Sequence, residues 1–182
     1  MEIIKYAYRK PDWLQANKLE NLDSIAIHHT GNSNNIDQNT DYHRDVNAFN
    51  WLGYNFYIVD GIIYEVRGIH HQGAAVKHHN GHIISIAIQG NFDNRPPKEE
   101  DLVALQWLVS YLKEELPQLE HINGHKRWNQ TSCPGALFPI DRIKLEGFKK
   151  EQYATVEDVD NLRKELKKMK AFLEGHYQVR IR

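Results

Sequence analysis

Hydrophobic residues fall along this chain in short blocks with two different periods. Ser24–His29 (SIAIHH) and Ile83–Ile88 (IISIAI) are compact apolar and β-branched runs, the pattern of buried strands. The first ends in two histidines, so it brings polar side chains to the end of a sheet. Residues 54–59 and 62–66 flank Asp60-Gly61, which predicts a hairpin, because Asp-Gly supplies the positive φ angles of a tight primed turn. A helical period follows over 37–49, with Tyr42, Val46 and Phe49 expected on one apolar face. Pro96-Pro97 and the acids Glu99, Glu100 and Asp101 open a second helix, where the macrodipole favours negative charge. Leu102, Leu105, Val109 and Leu112 carry it to about Leu116, and Pro117 ends it. His121-Ile122 is a short strand-like pair. Residues 68–82 hold three glycines and five histidines without a period, so they read as a long loop of the kind that often carries function.

These elements predict an α/β domain over residues 1–150, with a central mixed sheet built from the 24–29, 54–66 and 83–88 strands. Helices near 37–49 and 98–116 cover it, and a shallow cleft lies at one edge. Residues 151–182 form a second unit. Val159, Leu162, Leu166, Met169 and Leu173 follow the 3-4-3-4 spacing of a coiled-coil seam. The helix over 155–174 therefore either packs on its own domain or joins protomers, and Tyr177, Val179 and Ile181 alternate as in a short terminal strand.

Composition narrows the function classes. The 182 residues carry a net charge of −1, split into −5 over residues 1–141 and +4 over 142–182. With no basic excess to release counterions, a nucleic-acid partner is excluded. No apolar run approaches the roughly 18 to 20 residues that span a bilayer, so no membrane insertion is expected. The first residues, MEIIKYAYRKPDWL, have an acid at position 2 and no apolar core, unlike a Sec signal; synthesis in the cytoplasm is the expectation. A single cysteine, Cys133, rules out an intramolecular disulfide framework. Eleven histidines are an unusual number for this length.

The candidate chemistry lies in GHKRWNQTSCPG, residues 124–135, where Cys133 follows His125 by eight positions. A thiolate and an imidazole so spaced reach one zinc ion, and a catalytic zinc takes three protein ligands and keeps one position open. The best third ligand is one of His28 and His29. Successive strand side chains point to opposite faces, so only one of the pair faces the metal. Parity alone does not choose between them.

Four ordered segments, IAIHHT, GYNFYIVDGIIYEVRG, SIAIQGNF and GHKRWNQTSCPG, resemble the zinc-dependent N-acetylmuramoyl-L-alanine amidases of the type-2 amidase and peptidoglycan recognition protein superfamily. The resemblance covers roughly residues 20–140. It implies that fold, zinc as cofactor, His28, His125 and Cys133 as metal ligands, and bacterial peptidoglycan as partner. It also implies Tyr54 as a residue beside the reacting centre, and Thr131 as an oxyanion donor where phage members often carry lysine. Gln89 stands where another branch has a glutamate base, so no carboxylate base is expected. The activity implied is hydrolysis of the amide between N-acetylmuramic acid and L-alanine, in a phage or prophage endolysin that reaches the wall after another protein opens the membrane. A non-catalytic recognition module, a bacterial autolysin and a muropeptide-recycling amidase are the alternatives. Residues 155–174 would then raise avidity for the wall by homo-oligomerisation. Trp128, Asn129, His70 and His71 are candidate substrate contacts, and His29 and His43 are read as structural.

Overall fold

The structure, a computed structural model, describes residues 1–145. The chain divides into units at Met1–Phe148 and Lys149–Arg182, and the heptad helix and terminal strand expected in the second lie outside the described residues.

Nine main elements succeed one another: β1 (Ile3–Lys5), β2 (Ser24–His29), α1 (Ile36–Asp45), β3 (Phe56–Val59), β4 (Ile62–Glu65), β5 (Ile83–Ile88), α2 (Glu99–Glu115), β6 (His121–Gly124) and α3 (Ile140–Leu145). They form a six-stranded sheet in the order β1-β4-β3-β5-β2-β6. Only the β3–β4 hairpin is antiparallel; the other pairs are parallel. The sheet is thus mixed, with the α/β fold expected. At the hairpin Asp60 and Gly61 take φ of 52° and 71°, the primed-turn geometry that Asp-Gly favours. The buried Asp101 carboxylate accepts the Gly61 N–H at 2.9 Å, pinning this turn to the start of α2.

The two strands richest in β-branched residues, β2 and β5, lie side by side in full register, with every residue of β5 buried. Ile25 and Ile27 point to the face covered by α2, where Leu102, Leu105, Leu108 and Leu112 complete the main core. Each such side chain, taken out of water, contributes about 1.5 to 3 kcal/mol. The opposite face carries Tyr54, Tyr57 and Ala87 with Trp51 and Leu52.

Helix α1 departs from the expectation. It ends at Asp45, and Tyr42 and Val46 are 51% and 66% exposed. Its buried residues are Asn39 and Thr40. Asn39 donates to the Tyr57 hydroxyl at 3.1 Å, and Thr40 shares a hydrogen bond with the Tyr6 hydroxyl at 2.8 Å. The helix is seated by polar contacts to two buried tyrosines, a mode that hydrophobic periodicity does not detect. Its start is set by a capping box in which Asn35 Oδ1 accepts the Gln38 N–H and Gln38 Oε1 accepts the Asn35 N–H.

Candidate metal centre and cleft

Strand parity turns the two histidines to opposite faces of the sheet. Ser24, Ala26 and His28 occupy the face opposite Ile25 and Ile27, so His28 points to the side away from α2. It is 2% exposed. His29 turns the other way, and its Nδ1 accepts the Phe92 N–H at 3.1 Å, although the residue also borders the cleft.

Beside the end of β2, the segment after β6 folds back so that Lys126 N–H donates to the Cys133 carbonyl at 2.9 Å. That closure brings His125 and Cys133 together. Ligand atoms of His28, His125 and Cys133 all lie within 4.8 Å of one another. The His28 and His125 ring centroids are 4.5 Å apart, and His28 Nδ1 is 3.7 Å from Cys133 Sγ. Gly135, at φ +104°, allows the sharp turn after the cysteine; a Cβ there would sit 2.4 Å from the Phe92 carbonyl carbon.

His28, His125 and Cys133 line a cleft of about 210 Å³, together with His29, Thr30, His43, Phe49, Tyr54 and Ala75. Its electrostatics follow from burial. Burial, reinforced by the nearby imidazoles of His125, His29 and His43, holds His28 well below its ordinary pKa. His125 is lowered by burial as well, against the opposing pull of Asn129. Burial pushes the Cys133 thiol up to about 12, although the His29 N–H, 3.4 Å from the sulfur, works in the other direction. Tyr54 is raised by burial and by Cys133, so it stays a neutral hydroxyl. Among the described residues, no aspartate or glutamate lines the cleft.

This donor set fits zinc. Two neutral imidazoles and one thiol match the nitrogen and sulfur ligands that zinc prefers. The buried His28 Nε2 has no hydrogen-bond partner among the described residues, as expected for an imidazole whose surroundings are completed by something other than protein.

Tyr54 lines the cleft, its ring 5.3 Å from that of His28. Thr131 does not line it: the exposed threonine's Oγ1 accepts the Cys133 N–H at 3.2 Å. Gln89 Oε1 accepts from the Tyr57 hydroxyl at 2.9 Å, a structural tie. His71 is engaged through Nδ1 with the Arg67 carbonyl at 3.1 Å. Neither His70 nor His71 is part of the cleft wall.

His43, read from sequence as structural, is part of the wall. Its Nδ1 accepts the Gly53 N–H at 3.0 Å, so the neutral ring carries its proton on Nε2. Burial, with a further contribution from Arg67, lowers its pKa to about 4. The sequence signal available was its place on α1, ten residues before the GYNF segment, but nothing in the spacing showed that Gly53 would lock the ring.

A family model described as N-acetylmuramoyl-L-alanine amidase matches residues 18–136. The chain belongs to the N-acetylmuramoyl-L-alanine amidase family. Among curated family relatives, a Sus scrofa N-acetylmuramoyl-L-alanine amidase is 33% identical over 106 residues, covering 56% of this chain and 18% of that protein. The chain therefore spans only a small part of that relative. Peptidoglycan-recognition protein 2 of Holotrichia diomphalia is 30% identical over 139 residues, covering 70% of this chain and 74% of that protein. Among solved structures, the endolysine N-acetylmuramoyl-L-alanine amidase LysCS from Clostridium intestinale superposes with a TM-score of 0.69 at 29% identity, covering 79% of this chain and 93% of that one.

Proposed function

We propose that this chain is a zinc-dependent N-acetylmuramoyl-L-alanine amidase of the endolysin type, hydrolysing the amide between N-acetylmuramic acid and L-alanine in peptidoglycan. The observation that carries the reading is the convergence of His28, His125 and Cys133 within 4.8 Å at the floor of an open cleft. Membership of the amidase family and the likeness to an endolysine amidase support the choice of bond. Among the described residues no helix is long and apolar enough to cross a membrane.

His28, His125 and Cys133 would hold zinc, which would supply Lewis-acid polarisation and acidify water toward neutral pH. The chain's own groups then divide the remaining work. Two neutral imidazoles and a deprotonated thiol carry a single negative charge against the ion. Tyr54 keeps its proton on Oη across the physiological range and donates a hydrogen bond to the substrate oxygen or to the departing nitrogen. His43 offers Nε2–H from the neighbouring wall, its ring 5.2 Å from that of Tyr54. With no carboxylate in the wall among the described residues, this reading leaves water, or Tyr54 reprotonated from water, as the proton donor to the leaving amine.

The test is metal content and amine release on purified peptidoglycan for wild type and Cys133→Ser. The amidase reading requires about one zinc per chain and release of L-alanine amino termini by wild type, with both lost in the variant. Zinc-loaded wild type that binds the wall and releases no amine is instead a recognition module. Tyr54→Phe should keep zinc and lose most of kcat; an unchanged kcat removes Tyr54 from the chemistry.

A further inference from the structure

The sheet face that carries His28 continues past the cleft. Ser24, Ala26 and His28 share it, and β6 aligns His121 with Ser24 and Asn123 with Ala26. At about 3.3 Å per strand residue, Ser24 lies about 13 Å along β2 from His28. A second cavity, of about 420 Å³, opens there, lined by Ser24, His79, His121, Asn123, Arg127 and Trp128.

Two chain segments border both spaces. Ala75 and His125 line the metal cleft, while His79 and Trp128, three or four residues further on, line the second cavity. Asn129 ties the segments together: its Oδ1 accepts the Lys77 N–H at 3.1 Å and its Nδ2 donates to the Lys77 carbonyl at 3.3 Å. The half-buried Trp128 packs on Ala26, Val76 and Ile83. A single saddle thus separates the metal cleft from the cavity on one continuous face.

The cavity offers a built set of polar groups. Asp23 Oδ1 accepts from Ser24 Oγ at 2.6 Å and lies 2.9 Å from His82 Nδ1, so that nitrogen carries a proton. His82 Nε2 in turn lies 3.2 Å from His79 Nδ1, so the two rings and Asp23 form one hydrogen-bonded chain. His79, held by this chain, lines the cavity with Nε2 left for a further hydrogen bond. The exposed Arg127 has no hydrogen bond or ion pair among the described residues and brings a fork of donors. Asn123 brings an amide and Trp128 an indole. An imidazole, a guanidinium, an amide and an aromatic side chain in an open groove suit a ring that presents hydroxyls on its rim, a carbonyl on an acetamido group and an apolar face.

We propose that this groove binds the glycan strand of peptidoglycan, seating an N-acetylated sugar next to the one whose peptide is cut at the metal cleft. The placement of the strand rests on the amidase reading, since a polymer whose side-chain amide sits at His28 must leave the cleft over one of its rims. The saddle at Asn129 leads over such a rim to a groove that can hold it.

The test uses the full-length, isotope-labelled protein and two probes: peptide-free glycan strands, and the stem peptide alone. Glycan strands should shift the Trp128 indole and Asn123 amide signals, and the stem peptide should not. Arg127→Ala should weaken strand binding at least tenfold, as should His79→Ala, made as a second variant. In hydrolysis, both should lower the ratio of kcat/KM on intact sacculi to that on a single-sugar muropeptide by the same factor. Absence of a strand-dependent shift at these residues, a shift with the stem peptide instead, or an equal fall on both substrates overturns the proposal. The binding arm needs no turnover, so a protein that binds strands here and releases no amine keeps the groove and loses the amidase reading.

Discussion

Oδ1 of Asn129 lies 2.9 Å from Nε2 of His125 and also accepts the Lys77 N–H at 3.1 Å. An amide oxygen only accepts, so Nε2 carries the proton and the His125 lone pair is left on Nδ1. The opposite end of the amide confirms the orientation, because Nδ2 donates to the carbonyls of Trp128 and Lys77. A residue outside the candidate metal set thereby chooses the tautomer of a proposed ligand.

Removing that acceptor should loosen the metal. Asn129→Ala should weaken zinc binding about 10- to 100-fold, the usual range for groups that orient metal-bound histidines. Asn129→Asp keeps an acceptor and should retain most of the affinity. Competition against a chelator of known affinity measures both, and equal affinity in wild type and Asn129→Ala would remove the orienting role.

Zinc uptake should release about one proton per chain at pH 7. The Cys133 thiol, pushed up to about 12, is protonated in the metal-free protein, whereas His28 and His125, lowered by burial, are already neutral. Only the thiol has a proton to give. Calorimetry in two buffers of different ionisation enthalpy counts it. Saturating zinc should also stabilise the fold by about 2.7 kcal/mol at a hundred times the dissociation constant. Cys133→Ser should lose both effects, and zinc binding with no proton release would argue against a thiolate ligand.

Much of this architecture was legible because buried strands and primed turns leave strong local signals. SIAIHH, IISIAI and the Asp-Gly hairpin all form where the pattern predicts, and α2 runs from Glu99 to Glu115 as its apolar spacing and proline boundaries require. The residues of the metal cluster were legible as residue types, but choosing His28 over His29 needed either a family resemblance or the observed strand face. Elements held by polar or edge contacts were not legible. Strand β1 is three residues long with Ile4 exposed, too short for alternation to register. Helix α3 is six residues and is tied to α2 by the Arg142–Glu99 ion pair. The inward face of α1 consists of Asn39 and Thr40, where periodicity placed Tyr42 and Val46. Asn129 and His43 act through hydrogen bonds to distant segments, and no single-chain pattern encodes those.

The half-buried His43 should make stability fall in acid. Its pKa drops from an unfolded value near 6.5 to about 4 in the folded protein, so the unfolded chain binds more protons between those values. The stabilising contribution is complete above pH 6.5 and is lost as pH falls toward 4, amounting to about 3 kcal/mol at 1.36 kcal/mol per unit. His29 and the other buried histidines act in the same direction. His43→Asn, which retains an acceptor for the Gly53 N–H, should therefore lose less stability than wild type between pH 7 and 4. Urea unfolding at the two pH values measures the difference, and parallel losses would show that His43 titrates normally.

Thr131 offers the clearest separation between a residue that acts on the substrate and one that holds the site. Its Oγ1 accepts the Cys133 N–H at 3.2 Å, and the side chain lies outside the cleft wall. Thr131→Val preserves shape but removes the acceptor, leaving a partly buried N–H unpaired at a cost of about 1 to 3 kcal/mol. The expected result is a lower melting temperature and weaker zinc binding, with kcat at saturating zinc changed by less than about threefold. Thr131→Ser, which restores the acceptor, should recover both. A donor to the developing oxyanion would behave differently: its loss typically lowers kcat by about 10²- to 10³-fold. If Thr131→Val shows that fall with zinc affinity and melting temperature unchanged, the hydroxyl reaches the substrate, and the cleft must close over it during turnover.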